Sequence, residues 1–267
     1  MPLIRIDDPA DPRVAAFRHI KERDLTGRQG LFVAEGEVVL RVLASPRSLC
    51  RPVAALIAES RVEGLAEILA ALPEETPVHA VAQPVLDGIA GFHLHRGILA
   101  LGQKPAARSL EDILAELGER SVVVLACGIG NHDNMGGIFR AAAAFGADAV
   151  LLDDRCCDPF YRKAIRVSVG AVLRTPMAIN LDAVQAVVAL GVAGFRVMAM
   201  TPSAHRSLDE TAPGGRMAIL LGAEGPGLSP DVLRRCEGVG IRMSGGFDSL
   251  NVATAGAIAL HHFTRQA

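Results

Sequence analysis

The residues best suited to chemistry lie in two short segments near the end of the chain, 222–230 and 248–252. The first is rich in glycine and carries Glu224, and the second carries Ser249 and Asn251. Each segment follows an apolar run and precedes a helical pattern, which is typical of a strand end that turns into a helix. Such turns leave backbone N–H and C=O groups free beside a few polar side chains. The two segments therefore favour a binding site for a small polar cofactor.

A third polar segment, 131–140, follows an apolar strand that ends at Ala126. We expect Asn134 to cap the helix that begins here and Arg140 to lie nearly two turns into it. Arg140 stands beside a run of alanines, over which its side chain can reach a phosphate or a carboxylate at the helix start. The alternative is a capped helix with a solvated arginine.

The pattern of residues 121–267 predicts the scaffold that brings these segments together. Wholly apolar strands alternate with helices, which indicates a parallel sheet covered on both faces. The predicted strands are 122–126, 149–152, 197–200, 217–221 and 239–243. The predicted helices are 134–145, 161–173, 181–190 with Asn180 as its cap, 230–236 and 250–263. Ligands of such folds bind at the carboxyl ends of strands, where all three segments fall.

A smaller α/β unit precedes this scaffold. Residues 1–103 mix short strand and helix patterns, and Lys104-Pro105 opens a connection that contains a short amphipathic helix after Ser109. We therefore expect a first domain over 1–103, a linker over 104–120 and a second domain over 121–267.

Composition limits the class of protein. Half of the 267 residues are hydrophobic, and neither a bilayer-spanning run nor a signal-peptide pattern is present, so we expect a cytoplasmic protein with no membrane partner. Five irregularly spaced cysteines suggest plain thiols, and no histidine or cysteine set has metal-binding spacing, so we expect no metal. The net charge of −2 argues mildly against a nucleic-acid binder, although cations cluster between Arg155 and Arg174, on a flank that is either solvated or a binding surface.

Three motifs carry a resemblance to a known family. They are Asn134-x-Gly136-x-x-x-Arg140, Gly222-x-Glu224-Gly225-x-Gly227-Leu228 and Ser249-Leu250-Asn251-Val252. In order and separation they closely resemble the motifs of the SpoU (TrmH) family of RNA ribose 2′-O-methyltransferases. The first domain, with its segments 29–37 and 96–100, resembles the ribosomal-protein-like substrate-binding domain that many members carry.

The resemblance implies both a fold and a function. The second domain would hold a deep trefoil knot of the SPOUT type and form a homodimer, and S-adenosylmethionine would bind, bent, in the knot. The reaction would be methyl transfer to a ribose 2′-hydroxyl of structured RNA, with ribosomal RNA favoured over transfer RNA because of the first domain. A transfer RNA enzyme and a non-catalytic RNA-binding protein stay open. A dinucleotide-binding oxidoreductase is not favoured, because the chain lacks the G-x-G-x-x-G fingerprint that such an enzyme has at its first strand.

The resemblance also assigns site residues. Those expected to contact the cofactor are Thr201, Gly222, Glu224, Gly225, Ile241, Met243, Leu250 and Asn251. Those expected to serve catalysis are Asn134, Arg140, Glu224, Ser249 and Asn251. Arg140 would stabilise charge and position an RNA phosphate, because a guanidinium keeps its proton to a pKa above about 12. The chain departs from many members in having Ala253-Thr254 where they have Ser-Val, and Thr254 is the candidate replacement for the lost hydroxyl.

Overall fold

The computed structural model describes residues 3–18, 30–91, 93–245 and 248–265. Gln29, at the start of the 29–37 segment, lies outside these ranges. The contacts divide the chain into two compact units, the first made of Met1–Pro105 and Asp158–Arg174, the second of Ala106–Cys157 and Thr175–Ala267. This division differs from the expected domains at two places. Asp158–Arg174 belongs to the first unit, and most of the expected linker belongs to the second.

The helices and strands have the following bounds. The strands are β1 Leu3–Ile6, β2 Leu31–Glu35, β3 Arg51–Ala58, β4 Val78–Val81, β5 Ile98–Gln103, β6 Val122–Cys127, β7 Ala149–Asp153, β8 Met177–Leu181, β9 Arg196–Met200, β10 Arg206–Ser207, β11 Met217–Gly222 and β12 Glu237–Gly240. The α-helices are α1 Glu37–Leu43, α2 Glu59–Val62, α3 Ala66–Ala70, α4 Gln83–Ala90, α5 Leu110–Glu116, α6 His132–Phe145, α7 Arg162–Val167, α8 Ala183–Val192, α9 Pro230–Leu233 and α10 Val252–Phe263. Short 3-10 helices lie at Pro12–Phe17, Glu63–Leu65, Ala171–Leu173 and Leu208–Glu210.

In the described part of the first unit, five strands form a mixed sheet in the order β1-β4-β3-β5-β2. The pairs β1 with β4 and β4 with β3 are parallel, whereas β5 runs antiparallel to both β3 and β2. Apolar side chains on one face, among them Leu56, Val81 and Leu101, pack against Phe17 and Leu86 in a buried core.

The segment Asp158–Arg174 is fixed to the first unit by polar and apolar contacts. Lys104 Nζ lies 2.6 Å from a carboxylate oxygen of Asp158. The rings of Phe32 and Phe160 have centroids 5.4 Å apart. These contacts lie more than 50 positions apart along the chain, so no local pattern in the segment could have shown them.

The predicted helix 161–173 is wrong in its second half. Helix α7 ends at Val167, and Val169 and Gly170 then take positive φ values of 48° and 82°. Such φ values cannot continue a right-handed helix. Gly170 also lies against Val42, because a Cβ built on it would be 3.0 Å from the Cβ of Val42.

Within the described residues of the second unit, seven strands form a wholly parallel sheet in the order β10-β12-β9-β11-β6-β7-β8. This confirms the predicted α/β fold with a parallel sheet, and it adds β8 and β10, which the sequence did not indicate. Leu110 and Ile113 of the expected linker are buried in this unit's core. The trefoil knot stays a prediction.

The strand order places two loops side by side. Strands β6 and β11 pair in parallel, with Cys127 opposite Gly222 at their carboxyl ends. The segment that leads into α6 and the glycine-rich segment after β11 therefore begin next to each other. Strand order positions two of the three polar segments in this way, as the rule for open α/β sheets leads one to expect.

His79 on β4 makes the first unit sensitive to pH. Its side chain is buried, and its Nδ1 has no hydrogen-bond partner among the described residues. Burial lowers the pKa of His79, the nearby Arg13 lowers it further, and Asp11 opposes this in part. Protonation of His79 is harder in the folded state than in the unfolded state. The free energy of unfolding is therefore highest above the unfolded pKa of about 6.5 and decreases as pH falls below it, toward the lower folded-state pKa.

We expect His79→Gln to reduce this loss. The free energy of unfolding from urea titrations at pH 7.5 and pH 5.5 should fall less in the variant than in the wild type, by at most about 1.4 kcal/mol, because pH 5.5 lies only about one unit below the unfolded pKa. His95→Gln, which changes an exposed histidine of the same unit, is the matched control. Equal pH dependence in wild type and His79→Gln would contradict the prediction.

Candidate active site

A cavity of about 420 Å³ lies at the carboxyl ends of β9, β11 and β12 and at the start of α10. Its lining consists of Met200, Thr201, Pro202, Leu221, Gly222, Ala223, Glu224, Gly225, Gly227, Leu228, Val239, Ile241, Met243, Ser249, Leu250, Asn251, Val252 and Ala255. Every residue predicted to contact the cofactor is in this set. The structure thus brings together residues that the sequence spreads over 50 positions.

The floor of the cavity is a tight turn after β11. Gly227 N–H donates to the carbonyl of Ala223 at 3.0 Å, and Gly225 and Gly227 have φ values of 82° and 68°. Such values favour glycine because a Cβ is strained there. Gly222 has a different reason to be glycine, since a Cβ built on it would lie 2.5 Å from the backbone of Gly227 and Leu228.

Asn134 links the three motifs. The side-chain Nδ2 of Asn251 donates to Asn134 Oδ1 at 2.7 Å. Asn134 Nδ2 in turn donates to Glu224 Oε1. Asn134 is 6% exposed whereas Glu224 and Asn251 are exposed, so the buried Asn134 amide is the group whose unpaired state would be costly. The network therefore fixes the relative positions of one side chain from each motif.

Asn134 is free for this role because it does not cap its helix. The predicted cap is wrong: α6 begins at His132, and Asn131 Oδ1 accepts hydrogen bonds from the N–H groups of Asp133 at 2.7 Å and Asn134 at 3.3 Å. Asn251, by contrast, both caps its helix and takes part in the network. Its Oδ1 caps α10 by accepting from Ala253 and Thr254, while its Nδ2 donates to Asn134.

Comparison with known proteins decides the family. Residues 121–261 match the model of the SpoU rRNA Methylase family. The chain belongs to the SpoU family of RNA methyltransferases. An uncharacterised tRNA/rRNA methyltransferase of Mycobacterium bovis is 39% identical to it, in an alignment that covers 97% of this chain and 90% of that protein.

Solved structures agree with this SpoU assignment. A crystal structure of an RNA 2′-O ribose methyltransferase is 27% identical, with a TM-score of 0.78 and 97% of each chain covered. An AdoMet-bound rRNA methyltransferase of Sinorhizobium meliloti is 23% identical, with a TM-score of 0.79 and 97% of each chain covered, and so has the same fold.

Two predicted site residues of this SpoU protein, Asn134 and Arg140, are not part of the lining. Asn134 is hydrogen-bonded to Glu224 and Asn251, which are, whereas Arg140 is exposed and lies away from the cavity. Six residues separate it from Asn134, which corresponds to a rotation of about 600° and leaves the two side chains roughly 120° apart around α6. Ser249, by contrast, lines the cavity beside Asn251.

The Ala253-Thr254 departure from the SpoU pattern has a packing explanation. A Cβ built on Gly137 would lie 2.7 Å from the Cβ of Ala253, so α6 and α10 make a close approach there. Alanine at 253 is therefore a packing residue in this chain. Thr254 is exposed and does not line the cavity, so it does not supply a replacement hydroxyl to the site.

Sequence reasoning missed Asp153, which anchors the loop before Asn131. The carboxylate has no exposed surface, and its Oδ1 accepts a hydrogen bond from Gly128 N–H at 2.8 Å. Arg155 also donates to it through its backbone and guanidinium. The signal available was an acidic residue at the end of an apolar strand, at the same sheet edge as the site.

The other side chains that could be reactive are the cysteines. The cysteines form no disulfide among the described residues, and burial raises the pKa of Cys50 and Cys156 to about 12 and that of Cys236 to about 11, so these three thiols are protonated near neutral pH. In the part of the chain that the structure describes, no group of three metal-binding side chains occurs. The helices described there also include none with the length and apolar character needed to cross a bilayer.

Proposed function

We propose that this protein transfers a methyl group from S-adenosylmethionine to a ribose 2′-hydroxyl of RNA, and that its substrate is ribosomal RNA. The observation that carries this proposal is the cavity, in which the predicted cofactor residues meet the Asn251–Asn134–Glu224 network. The homodimer through the second unit and the cytoplasmic location are further parts of the proposal; the first rests on the family resemblance and the second on the sequence composition.

The cavity suits this cofactor. Its volume of about 420 Å³ is within the usual range for small-molecule sites. Ile241, Met243 and Leu250 offer an apolar slot for an adenine ring, and the turn after β11 offers backbone groups for its polar edge. Leu250 is 40% exposed, a large apolar surface that a bound ring would cover.

The residues of this chain divide the chemistry between them. S-adenosylmethionine, when bound, supplies a methyl group on a sulfonium that leaves as a neutral thioether. The remaining need is a nucleophilic, aligned hydroxyl. Asn134, held by two hydrogen bonds, orients the ribose, and Ser249 and Asn251 complete the polar rim. Arg140 lies on the exposed side of α6, outside the cavity lining, where its fixed charge can hold a phosphate of the bound RNA and so position the ribose.

The choice of ribosomal RNA rests on the first unit. The structural similarity to the solved 2′-O ribose enzyme and the sequence similarity to the Mycobacterium bovis relative each cover 97% of this chain, so both include the two units. A substrate-binding domain of ribosomal-protein type is suited to a structured ribosomal substrate. The relative's name leaves transfer RNA open, and transfer RNA is the second candidate substrate.

Two measurements test the proposal. The protein should show a thermal shift with S-adenosylmethionine and none with NAD; no shift with S-adenosylmethionine would sink the enzyme assignment. Unmodified cellular RNA should then be incubated with labelled cofactor and the product mapped. Label on a ribose of ribosomal RNA is the expected result. Label confined to transfer RNA or to a base would overturn the substrate or the reaction, and RNA binding without transfer would favour a non-catalytic protein.

A further inference from the structure

Arginines gather around three consecutive residues of the first unit, Glu35, Gly36 and Glu37. They come from separate parts of the chain: from α1, from α2, from the residue before Gly97 and from α7. The described residues of this group, here called the arginine cluster, are Arg41, Arg61, Arg96, Arg162 and Arg166. Arg162 and Arg166 lie inside residues 121–261, which match the SpoU family model, but they belong to the first unit.

Glu37 holds two of these arginines. Its Oε1 lies 3.1 Å from Arg41 Nη2, and its Oε2 lies 3.2 Å from Arg61 Nη2. The Arg61 side chain also passes close to Gly97, where a built Cβ would be 3.2 Å from Arg61 Cγ. Positions 41 and 61 are thus fixed at the same end of the sheet, where β3 ends and β5 begins.

Glu35 and Gly36 hold the other three. Arg162 Nη1 and Arg166 Nη1 each lie 3.8 Å from Glu35 Oε2. Arg96 covers the backbone of Gly36, since a Cβ built there would be 2.9 Å from Arg96 Cδ. In the described part of the unit, the five arginines of the cluster thus surround the two carboxylates of Glu35 and Glu37.

The charges are layered with the cations outermost. The Glu35 side chain is 10% exposed and that of Glu37 is 39% exposed. The four arginines paired with them range from 34% to 58% exposed. In each pair the carboxylate is less exposed than the arginines it holds, and the arginines remain between one third and more than half exposed. A fixed guanidinium loses less conformational entropy when it binds an anion.

We infer that the arginine cluster is a surface that binds the phosphate backbone of the RNA substrate. This inference rests on the proposed function, which supplies RNA as the partner. Guanidiniums bind phosphate oxygens in a bidentate manner, and several at one surface match a polyanion with regularly spaced charges. The chain as a whole is not basic, with a net charge of −2, so RNA attraction has to come from a local excess of this kind.

The test is RNA binding by Arg162→Ala/Arg166→Ala in the full chain. Fluorescence anisotropy with an unmodified in vitro ribosomal RNA transcript, repeated at several salt concentrations, should show a loss of affinity of about tenfold or more. It should also show a salt slope smaller by about 1.5, since two phosphate contacts are gone. The same pair combined with Glu35→Gln leaves no unpaired charge at position 35, and Arg96→Ala removes a cation that has no ion pair among the described residues. Both should weaken RNA binding while the cofactor affinity stays at the wild-type value.

Arg47→Ala/Arg51→Ala is the matched control. These exposed arginines belong to the same unit, and Arg51 begins β3, about 23 Å from the end of that strand. If the cluster variants lose no more affinity or salt slope than this control, the inference is overturned, whatever the enzyme does. A wild-type protein that transfers no methyl group to RNA would overturn the proposed function instead, and the binding data would still decide the surface.

Discussion

Arg140→Ala is expected to abolish most methyl transfer while cofactor binding persists. The guanidinium is exposed on α6 and contributes nothing to the cavity lining, so its removal leaves the cofactor site intact. Loss of a contact that positions the substrate for an aligned attack can cost about 10²-fold in rate, and we expect a loss of that size when the Arg140 phosphate contact is removed. Single-turnover methyl transfer to RNA and calorimetric titration with S-adenosylmethionine measure the two effects separately.

Two controls sharpen this experiment. Arg140→Lys keeps the charge but loses the planar pair of donors, so partial activity is expected if bidentate phosphate binding matters. Arg120→Ala removes an exposed arginine of the same unit that is outside the cavity lining, and it should leave the rate unchanged. A folded Arg140→Ala protein that no longer binds the cofactor would contradict this division of roles.

The cavity could be predicted from the sequence because its parts follow strand ends. Gly222 ends β11, and Thr201 directly follows the end of β9. In a parallel sheet such positions share one edge, so the motifs had to meet there. The pattern of apolar strands was strong enough to predict this edge. The family motifs then indicated which polar residues on it belong to the site.

Asparagine roles were harder to predict because asparagine suits several local structures. Asn131 and Asn134 are both competent helix caps, and the path of the chain selects Asn131. Asn180 was predicted to cap a helix but lies in β8 with a φ of 60°, and Asp182 caps α8 instead. Tolerance of positive φ and capping arise from the same short polar side chain, so residue type alone cannot separate them.

The place of Asp158–Arg174 was beyond local patterns for a different reason. Its helix α7 was expected to have a cationic flank, and the cations are there. What the sequence could not show is that Glu35, more than 120 positions earlier, lies beside Arg162 and Arg166. Ion pairs over such separations depend on tertiary packing alone, which is why the cations between Arg155 and Arg174 were left as either a solvated face or a binding surface.

Gly222→Ala is expected to remove cofactor binding. The added Cβ would lie 2.5 Å from backbone atoms of Gly227 and Leu228, which cannot move away without opening the turn that Gly227 N–H closes on Ala223. Overpacking of this kind costs about 1–3 kcal/mol or more, and here it displaces the residues that line the cavity. Calorimetric titration with S-adenosylmethionine should show an affinity lowered by about 100-fold or no binding, and the unfolding midpoint should fall.

A graded series of alanines separates this clash from other effects of losing a glycine. Gly225 has a φ of 82° with open space around its built Cβ, so Gly225→Ala should cost only the backbone strain of about 1–2 kcal/mol. Gly191 lies in α8 with open space and no positive φ, so Gly191→Ala should stabilise the protein by up to about 1 kcal/mol. The expected order of cofactor affinity is Gly191→Ala, then Gly225→Ala, then Gly222→Ala. If Gly222→Ala binds the cofactor as well as Gly225→Ala does, the turn is not what shapes the site, and the close approach at Gly222 has another purpose.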